Sequence, residues 1–206
     1  MRKPFIVIEH CESEMSPWMI LEYRHSSLIY GRDFTVFTNI PPKYQKLLGK
    51  YGRVLTDSVV ELIERSEIPQ RETIILDPLA KEKLTYSDLV SAKYVVIGGI
   101  LGDNPPRGRT RELITSRLRS VRSFNIGDAQ YSIDGAVYYV HYVWENRGED
   151  GFQYIDGVTL SFHTREIRLP FRYPIVDGKP LLAEGLEHYL RTGKIPDYIW
   201  RELTDP

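Results

Sequence analysis

One cysteine, Cys11, is present in 206 residues, so no internal disulfide can form and no CxxC pair exists for metal or redox work. Nor is there a run of eighteen apolar residues, which argues against a membrane-crossing helix. The start, MRKPFIVIEHCESE, holds only a short apolar stretch before acidic residues and reads as a first strand, not a signal peptide. These absences lead to the expectation of a cytoplasmic protein with no membrane partner. Net charge is nearly absent too: Lys+Arg 27 against Asp+Glu 28 leaves −1, so no global field gathers nucleic acid. Asn and Gln are scarce, at four each, a bias that leans toward a thermophilic source. No metal-ligand spacing stands out, and no metal site is expected.

What is present suits a globular chain, with 42% hydrophobic and 27% charged residues and length enough for a sizeable core. FIVI (5–8), FTVFTN (34–39), TIILD (73–77), AKYVVIGGIL (92–101) and SFNIG (123–127) read as short strands. Ser16-Pro17 opens a helix that Gly31 stops, and Pro41-Pro42 precede a second over KYQKLLGKYG. Shorter helical pieces fall at 56–65 and around Ser87–Leu89, and a longer one runs from Thr110 to about Arg119. Residues 132–146, SIDGAVYYVHYVWEN, read as a helix, with a strand as the alternative for the second half.

Strands alternating with helices predict an α/β fold with a mostly parallel sheet, whose ligands sit beyond the carboxyl ends of the strands. After residue 146 turn signals multiply, and a last helix near 182–191 stops at Gly193. The expected division is a domain over 1–146 and a C-terminal extension over 147–206 packed on it.

VVIGGILGDNPPRGRT (95–110) ends a strand in glycines. It is not a P-loop, because no Lys-Ser or Lys-Thr follows. It is not a dinucleotide fingerprint either, because Gly98, Gly99 and Gly102 have the wrong spacing and Pro105-Pro106 delay the helix. The loop suits close backbone approach to something that need not be an anion. NIGDAQYSIDGA (125–136) has the same strand–glycine–polar–helix character. Two such loops on adjacent strands, with Pro78 as a third wall, would clamp a flat ligand; ordinary strand-to-helix turns are the alternative.

IEH (8–10), ILEY (20–23), ILDP (75–78), GGILGDNPPRGRTREL (98–113), IGDAQYSIDGA (126–136), PFRY (170–173) and GKPLLAEG (178–185) occur in this order. Together they resemble the SPOUT-class methyltransferases. The likeness is strongest to the protein-arginine methyltransferase family acting on a small-subunit ribosomal protein, which is also grouped with RNA methyltransferases. The resemblance implies a C-terminal trefoil knot in the α/β domain and S-adenosylmethionine as methyl donor. It implies that Leu76, Asp77 and Pro78, Gly98, Gly99, Ile100, Leu101 and Gly102, and Ile126, Gly127, Gln130 and Ile133 hold the cofactor. It also implies a protein acceptor, ribosomal among the candidates, and a monomer in preference to the usual dimer of the class. One departure is Gly108, where the family loop carries Asp.

An arginine acceptor has a pKa of about 13.8, so carboxylates must orient its fork and take up its proton. Asp103, Glu9 and Glu22 are the candidates, a solvated or salt-bridged side chain being the alternative for each. Arg107, Arg109, Phe171 and Arg172 are candidates for substrate or cofactor contact. His10 is a possible base or a structural histidine; Trp18 and Tyr23 either stack on the acceptor or pack in the core. Cys11 reads as a small, partly buried hydrophobe. Six arginines over 107–122 (Arg107, Arg109, Arg111, Arg117, Arg119 and Arg122) face one acid, Glu112, and would suit RNA phosphates. Against them, Glu145, Glu149, Asp150 and Asp156 would steer an arginine-bearing protein. The enzyme alternative is therefore an RNA methyltransferase acting on a base or a ribose hydroxyl, and the non-enzymatic one a cofactor-binding, ribosome-associated module.

Overall fold

The structure, a computed structural model, describes residues 2–102, 107–163 and 165–205. Strands β1 (Phe5–His10), β2 (Thr35–Thr38), β3 (Arg53–Val54), β4 (Thr73–Leu76), β5 (Tyr94–Gly99) and β6 (Arg122–Phe124) form one sheet. Its order is β3-β2-β1-β5-β4-β6 and every pairing is parallel. The period of two divides each strand between two cores. Ile6, Ile8, Ile74, Leu76, Val95 and Ile97 face α1 (Pro17–Tyr30) and α6 (Ile133–Asn146). Val7, Val36, Ile75 and Val96 face α3 (Val59–Glu64) and the segment holding Ile114 and Leu118.

Helix starts follow their caps. Ser16 Oγ accepts Met19 N–H at 3.3 Å, Pro17 occupies the first turn, and the helix ends at Gly31. Ser58 and Glu61 make a capping box for α3. Ser132 Oγ accepts Gly135 N–H at 3.2 Å and opens α6, which is helical throughout. Its buried residues Ile133, Ala136, Val137, Val140 and Val143 recur every three or four positions, a helical period that settles the alternative left by its branched residues. The helix expected over 110–119 is shorter: α5 is Arg109–Leu113, and Thr115–Arg117 tighten into a 3-10 turn. Two hydroxyl residues in succession there offer local hydrogen-bonding alternatives to the helix ladder. The helix after Pro41-Pro42 is likewise brief, a 3-10 turn leading into α2 (Gln45–Leu48), and α4 spans Tyr86–Ser91.

The β5-to-β6 connection carries the chain past β4, so the two glycine-bearing loops leave strands separated by β4, not adjacent ones as expected. Residues 80–84 then lie across the β6 exit. Asn125 donates from its backbone N–H to Glu82 O at 2.8 Å and from its amide to Ala80 O at 2.9 Å, and accepts from Leu84 N–H at 2.9 Å.

Beyond α6 the chain forms an antiparallel sheet of β7 (Tyr154–Phe162), β8 (Arg165–Val176) and β9 (Lys179–Pro180). Helices α7 (Leu186–Thr192) and α8 (Asp197–Thr204) follow. The sequence suggests one helix at 182–191 and gives no sign of α8, whose eight residues show only Ile199 and Leu203 as a buried apolar pair. Among the described residues no helix is long and apolar enough to cross a membrane.

Helix α8 is fastened to α1 by a buried arginine. Arg24 donates to Glu202 at 3.2 and 2.7 Å and to Glu184 at 3.0 Å, and Tyr51 donates to Glu202 at 2.7 Å. Replacing Arg24 with Met should lower unfolding free energy by about 2 kcal/mol, through lost charge-assisted hydrogen bonds, in urea titrations. These hydrogen bonds from Arg24 also hold the Glu202 carboxyl below its ordinary range. The stability that Glu202 contributes is thus present above its unfolded-chain value of about 4.3 and is lost as pH falls through the lower folded value. A Glu202→Gln variant should lose this part of the acid dependence; an unchanged acid limb would refute the assignment.

Candidate active site at the carboxyl edge of the sheet

The carboxyl ends of β4, β5 and β6 open into one cleft of about 830 Å³, counting the space at its mouth. Its walls are largely apolar: Leu76, Ile97, Ile100, Phe124, Ile126, Ile133 and Ala136. Of the residues singled out in the sequence, Leu76, Asp77, Pro78, Gly98, Ile100, Ile126, Gly127, Gln130 and Ile133 line it, together with Arg107 and Arg109. Gly99, Leu101 and Gly102 do not, and Asp103 lies outside the described residues. Leu79, Gly108, Thr110, Ala129, Tyr131 and Ser132 complete the wall.

The glycines turn out to accommodate the protein's own side chains. A Cβ at Gly99 would stand 2.1 Å from the Tyr23 hydroxyl and 2.9 Å from Glu9 O. At Gly102 it would meet Gln130 Nε2 at 1.8 Å and Phe171 Cε1 at 2.7 Å. Both positions therefore set the loop by close packing, and Gly98 alone of the three borders the cleft. Gly108, the departure from the family pattern, has φ +70°, in the left-handed region that Asp also tolerates better than most residues.

Glu12 anchors the same loop from just beyond β1. It accepts Leu101 N–H at 2.9 Å and both terminal nitrogens of Arg109, at 3.0 and 2.9 Å, while Arg109 also donates to Leu101 O. Asp77, fully buried after β4, accepts Leu79 N–H at 2.9 Å and pairs with Arg111 Nε at 2.6 Å. Both turns are thus stiffened by carboxylates at the cleft's rim.

The β6–α6 loop is held from the C-terminal sheet. Arg172, on β8, binds Asp156 bidentately at 2.6 and 2.9 Å and reaches Asp128 at 2.9 Å. Its guanidinium stacks 3.9 Å over the Tyr154 ring, and its backbone N–H donates to Gln130 O at 2.8 Å. This arginine, expected to contact substrate, instead ties the loop to the sheet. Phe171, buried beside Gly102, packs where substrate contact was expected.

The two described carboxylates expected to serve catalysis differ. Glu9 accepts from Thr38 Oγ1 at 2.6 Å, Ser58 Oγ at 2.6 Å and Val59 N–H at 2.8 Å, so it is a cap for α3 and borders no part of the cleft. Glu22 is buried and accepts from Trp18 Nε1 at 2.6 Å and from the N–H of Ile133, a cleft residue, at 3.0 Å. Burial first, and then repulsion by Asp134, push its carboxyl well above the ordinary range.

His10 is buried with Nδ1 3.0 Å from Tyr23 Oη, and burial lowers its pKa; both residues pack in the core, Tyr23 stacked on Phe37. Burial pushes the Cys11 thiol up to about 12, which leaves no thiolate for nucleophilic work. The basic segment is not one open face, since Arg109 and Arg111 pair with Glu12 and Asp77 and Arg122 donates to Ser91 Oγ at 2.8 Å. Half of the acidic stretch is committed too: Glu149 binds Lys83 and Tyr139, and Asp156 binds Arg172. Sequence reasoning missed Glu12, Asp134 and His25. Glu12 carried a usable signal, an acid just past β1; the others meet only through the fold.

A family profile described as "Protein arginine N-methyltransferase SFM1-like" matches residues 5–195. Protein arginine N-methyltransferase SFM1 of Saccharomyces cerevisiae is 32% identical over 193 residues, covering 87% of this chain and 91% of that protein. The crystal structure of the yeast enzyme complexed with SAM superposes with a TM-score of 0.82 at 29% identity, over 94% of this chain and 92% of the other. A complex of it with SAH gives 0.80 at 30% identity, over 90% and 94%. A dual-specific Trm10 from Thermococcus kodakaraensis shares the fold, with a TM-score of 0.53 at 18% identity, over 71% and 95%.

The fit of Tyr23 against Gly99 is testable. Gly99→Ala should destabilise the protein by about 1–3 kcal/mol through overpacking in denaturant titrations. Tyr23→Phe, which removes the clashing oxygen, should recover part of that loss in the double variant. Strict additivity would show that the two positions do not press on each other.

Proposed function

Because the chain belongs to the SFM1-like protein arginine N-methyltransferase family, of the SPOUT class, we propose that it transfers a methyl group from S-adenosylmethionine to an arginine side chain of a protein. The observation that carries this reading is the cleft at the carboxyl ends of β4, β5 and β6, formed by three separate strand-end loops. Its chemistry suits the cofactor. Apolar walls accept a purine face, and a Cβ at Gly98 would crowd Ile100 and Thr110, which both line the cleft. Arg107 at the margin suits a carboxylate. The backbone of Leu76–Pro78 and Ile126–Gly127 offers the ribose and adenine their polar contacts. A trefoil knot accords with residues 80–84 lying across Asn125 before the chain enters α6.

The bound cofactor supplies an electrophilic methyl, so the protein must place a nitrogen in line with it and accept a proton. Glu22 is the carboxylate suited to this role, because it caps α6 at Ile133 on the cleft wall and half-buried Trp18 covers its other oxygen. The indole offers a face for a guanidinium. Glu12 and Asp77 are engaged with Arg109 and Arg111, and Glu9 with α3. A ribosomal protein is the candidate acceptor. The C-terminal segment completes the site through Arg172, and the chain acts as a monomer in the cytoplasm.

The test is label transfer from methyl-labelled S-adenosylmethionine into extract of the source organism, followed by separate ribonuclease and protease digestion. Label in methylarginine after acid hydrolysis of the protein is expected; label released by ribonuclease would overturn the acceptor. Arg172→Met should weaken S-adenosylhomocysteine binding about tenfold by freeing the loop, a shift of about 1.4 kcal/mol readable by calorimetry. Unchanged affinity would remove Arg172 from the cofactor site altogether.

A further inference from the structure

Large apolar side chains stay in water at several places among the described residues, Leu28, Val90, Tyr198 and Trp200 among them. Single exposures of that kind are ordinary on a protein surface. Leu79 differs in position. It is 55% exposed and lines the cleft, which no other exposed large apolar side chain among the described residues does. It also lines a shallow groove along the outer edge of β6, beside Lys81, Glu82 and Arg111. Leu79 and Phe124 alone belong to both walls, so these two side chains divide the cleft from the groove.

The backbone of Leu79 has little freedom. Asp77 Oδ1 accepts Leu79 N–H at 2.9 Å, and Asp77 O accepts Ala80 N–H at 2.9 Å, which closes the turn around it. The Leu79 side chain rests on the facing loop, since a Cβ at Gly108 would stand 2.6 Å from Leu79 Cδ1. Gly108 has φ +70°, opens α5 without a side-chain cap and lines the same cleft. Glycine there meets two demands at once, a left-handed backbone and a bare surface for the leucine.

We propose that Leu79 is a cofactor-retaining residue, an apolar cover seated on Gly108 that closes the groove side of the cleft over bound S-adenosylmethionine. The proposal rests on the reading of the cleft as the cofactor site. A turn already fixed by Asp77 presents the leucine at little further cost in backbone entropy. The exposed part of its side chain is apolar area that a bound nucleoside would remove from water. Such a contact does not depend on the charge at sulfur, so it holds methyl donor and thioether product alike. Its effect falls on dissociation more than on association. Gly108 is a positioning residue, since it acts through Leu79.

The experiment measures association and dissociation of S-adenosylhomocysteine by surface plasmon resonance. It compares the full chain with its Leu79→Ala, Leu79→Met and Gly108→Ala variants and with the Leu79→Ala/Gly108→Ala double variant. Leu79→Ala should release the ligand about fivefold to tenfold faster while association stays within about twofold, as loss of part of a leucine's burial requires. Leu79→Met keeps the apolar reach and should stay within about twofold of the parent. An alanine at 108 pushes aside the flexible end of the leucine, so Gly108→Ala should speed release by about threefold, yet add nothing once residue 79 is alanine. Urea titration separates out the backbone strain of alanine at a positive φ, which lowers stability in both backgrounds. Unchanged release from Leu79→Ala would overturn the cover, and an equal effect of Gly108→Ala in both backgrounds would overturn its seat. Failure of the parent protein to bind S-adenosylhomocysteine would instead sink the cofactor reading of the cleft, and the cover with it.

Discussion

A guanidinium buried in β8 holds the middle of the β6–α6 loop, whose start Asn125 fixes against residues 80–84. Arg172 supplies a bidentate pair to Asp156, a bond to Asp128 and a stack on Tyr154, while its own backbone N–H closes onto Gln130. The energetics are asymmetric. Asp128 and Asp156 are 90% and 60% exposed, so water can solvate either carboxylate if it is released, whereas the arginine is 7% exposed and depends on both. The C-terminal sheet therefore does more than cover the parallel domain. It fixes one wall of the cleft, and Phe171 from the same strand presses on Gly102 at the opposite loop.

Buried carboxylates recur along the carboxyl edge, and their partners sort them. Glu9 meets two hydroxyls and a backbone amide at the start of α3, donors that oppose the upward push of burial on its carboxyl. Glu22 stands at the start of α6 with two N–H donors, but it also faces a second acid, Asp134. Both are helix caps. Burial pushes both carboxyls above the ordinary range; the difference is that hydrogen bonds from Ser58, Thr38 and Val59 oppose the rise at Glu9, while repulsion from Asp134 adds to it at Glu22.

The parallel sheet was legible because its strands are short apolar runs with turn residues at each end, and α1 because Ser16, Pro17 and Gly31 mark both of its limits. Most residues along the cleft were legible for a related reason: glycine and polar residues gather where strands end. What local sequence could not carry was adjacency. The β4 strand lies between the two glycine loops, a matter of crossover order, and the Glu22–Asp134–His25 group joins residues whose sequence separation exceeds 100. Glycine itself misled in one respect, since Gly99 and Gly102 make way for Tyr23, Gln130 and Phe171 inside the chain. Helix α8 escaped notice because an apolar pair four residues apart is too weak a period in eight residues.

The arginines that crowd one stretch of sequence do not form one positive face in the fold. Six arginines within 107–122 suggest a positive face that would repel a cation and welcome phosphate. Folding sets Glu12 against Arg109 and buried Asp77 against Arg111, so two of the charges closest to the cleft are offset within the chain. Arg117 and Arg119 remain exposed beyond α5 and contribute nothing to the cleft wall. Exposed charges separated by more than a Debye length, about 8 Å at physiological salt, act weakly on one another, so the local field is set by the groups at the rim. Behind the cleft wall, buried Glu22 and Asp134 have no arginine or lysine among their hydrogen-bonded partners in the described residues, so no cation of the chain is bonded to them there. A cationic acceptor is the partner for which that arrangement is complementary.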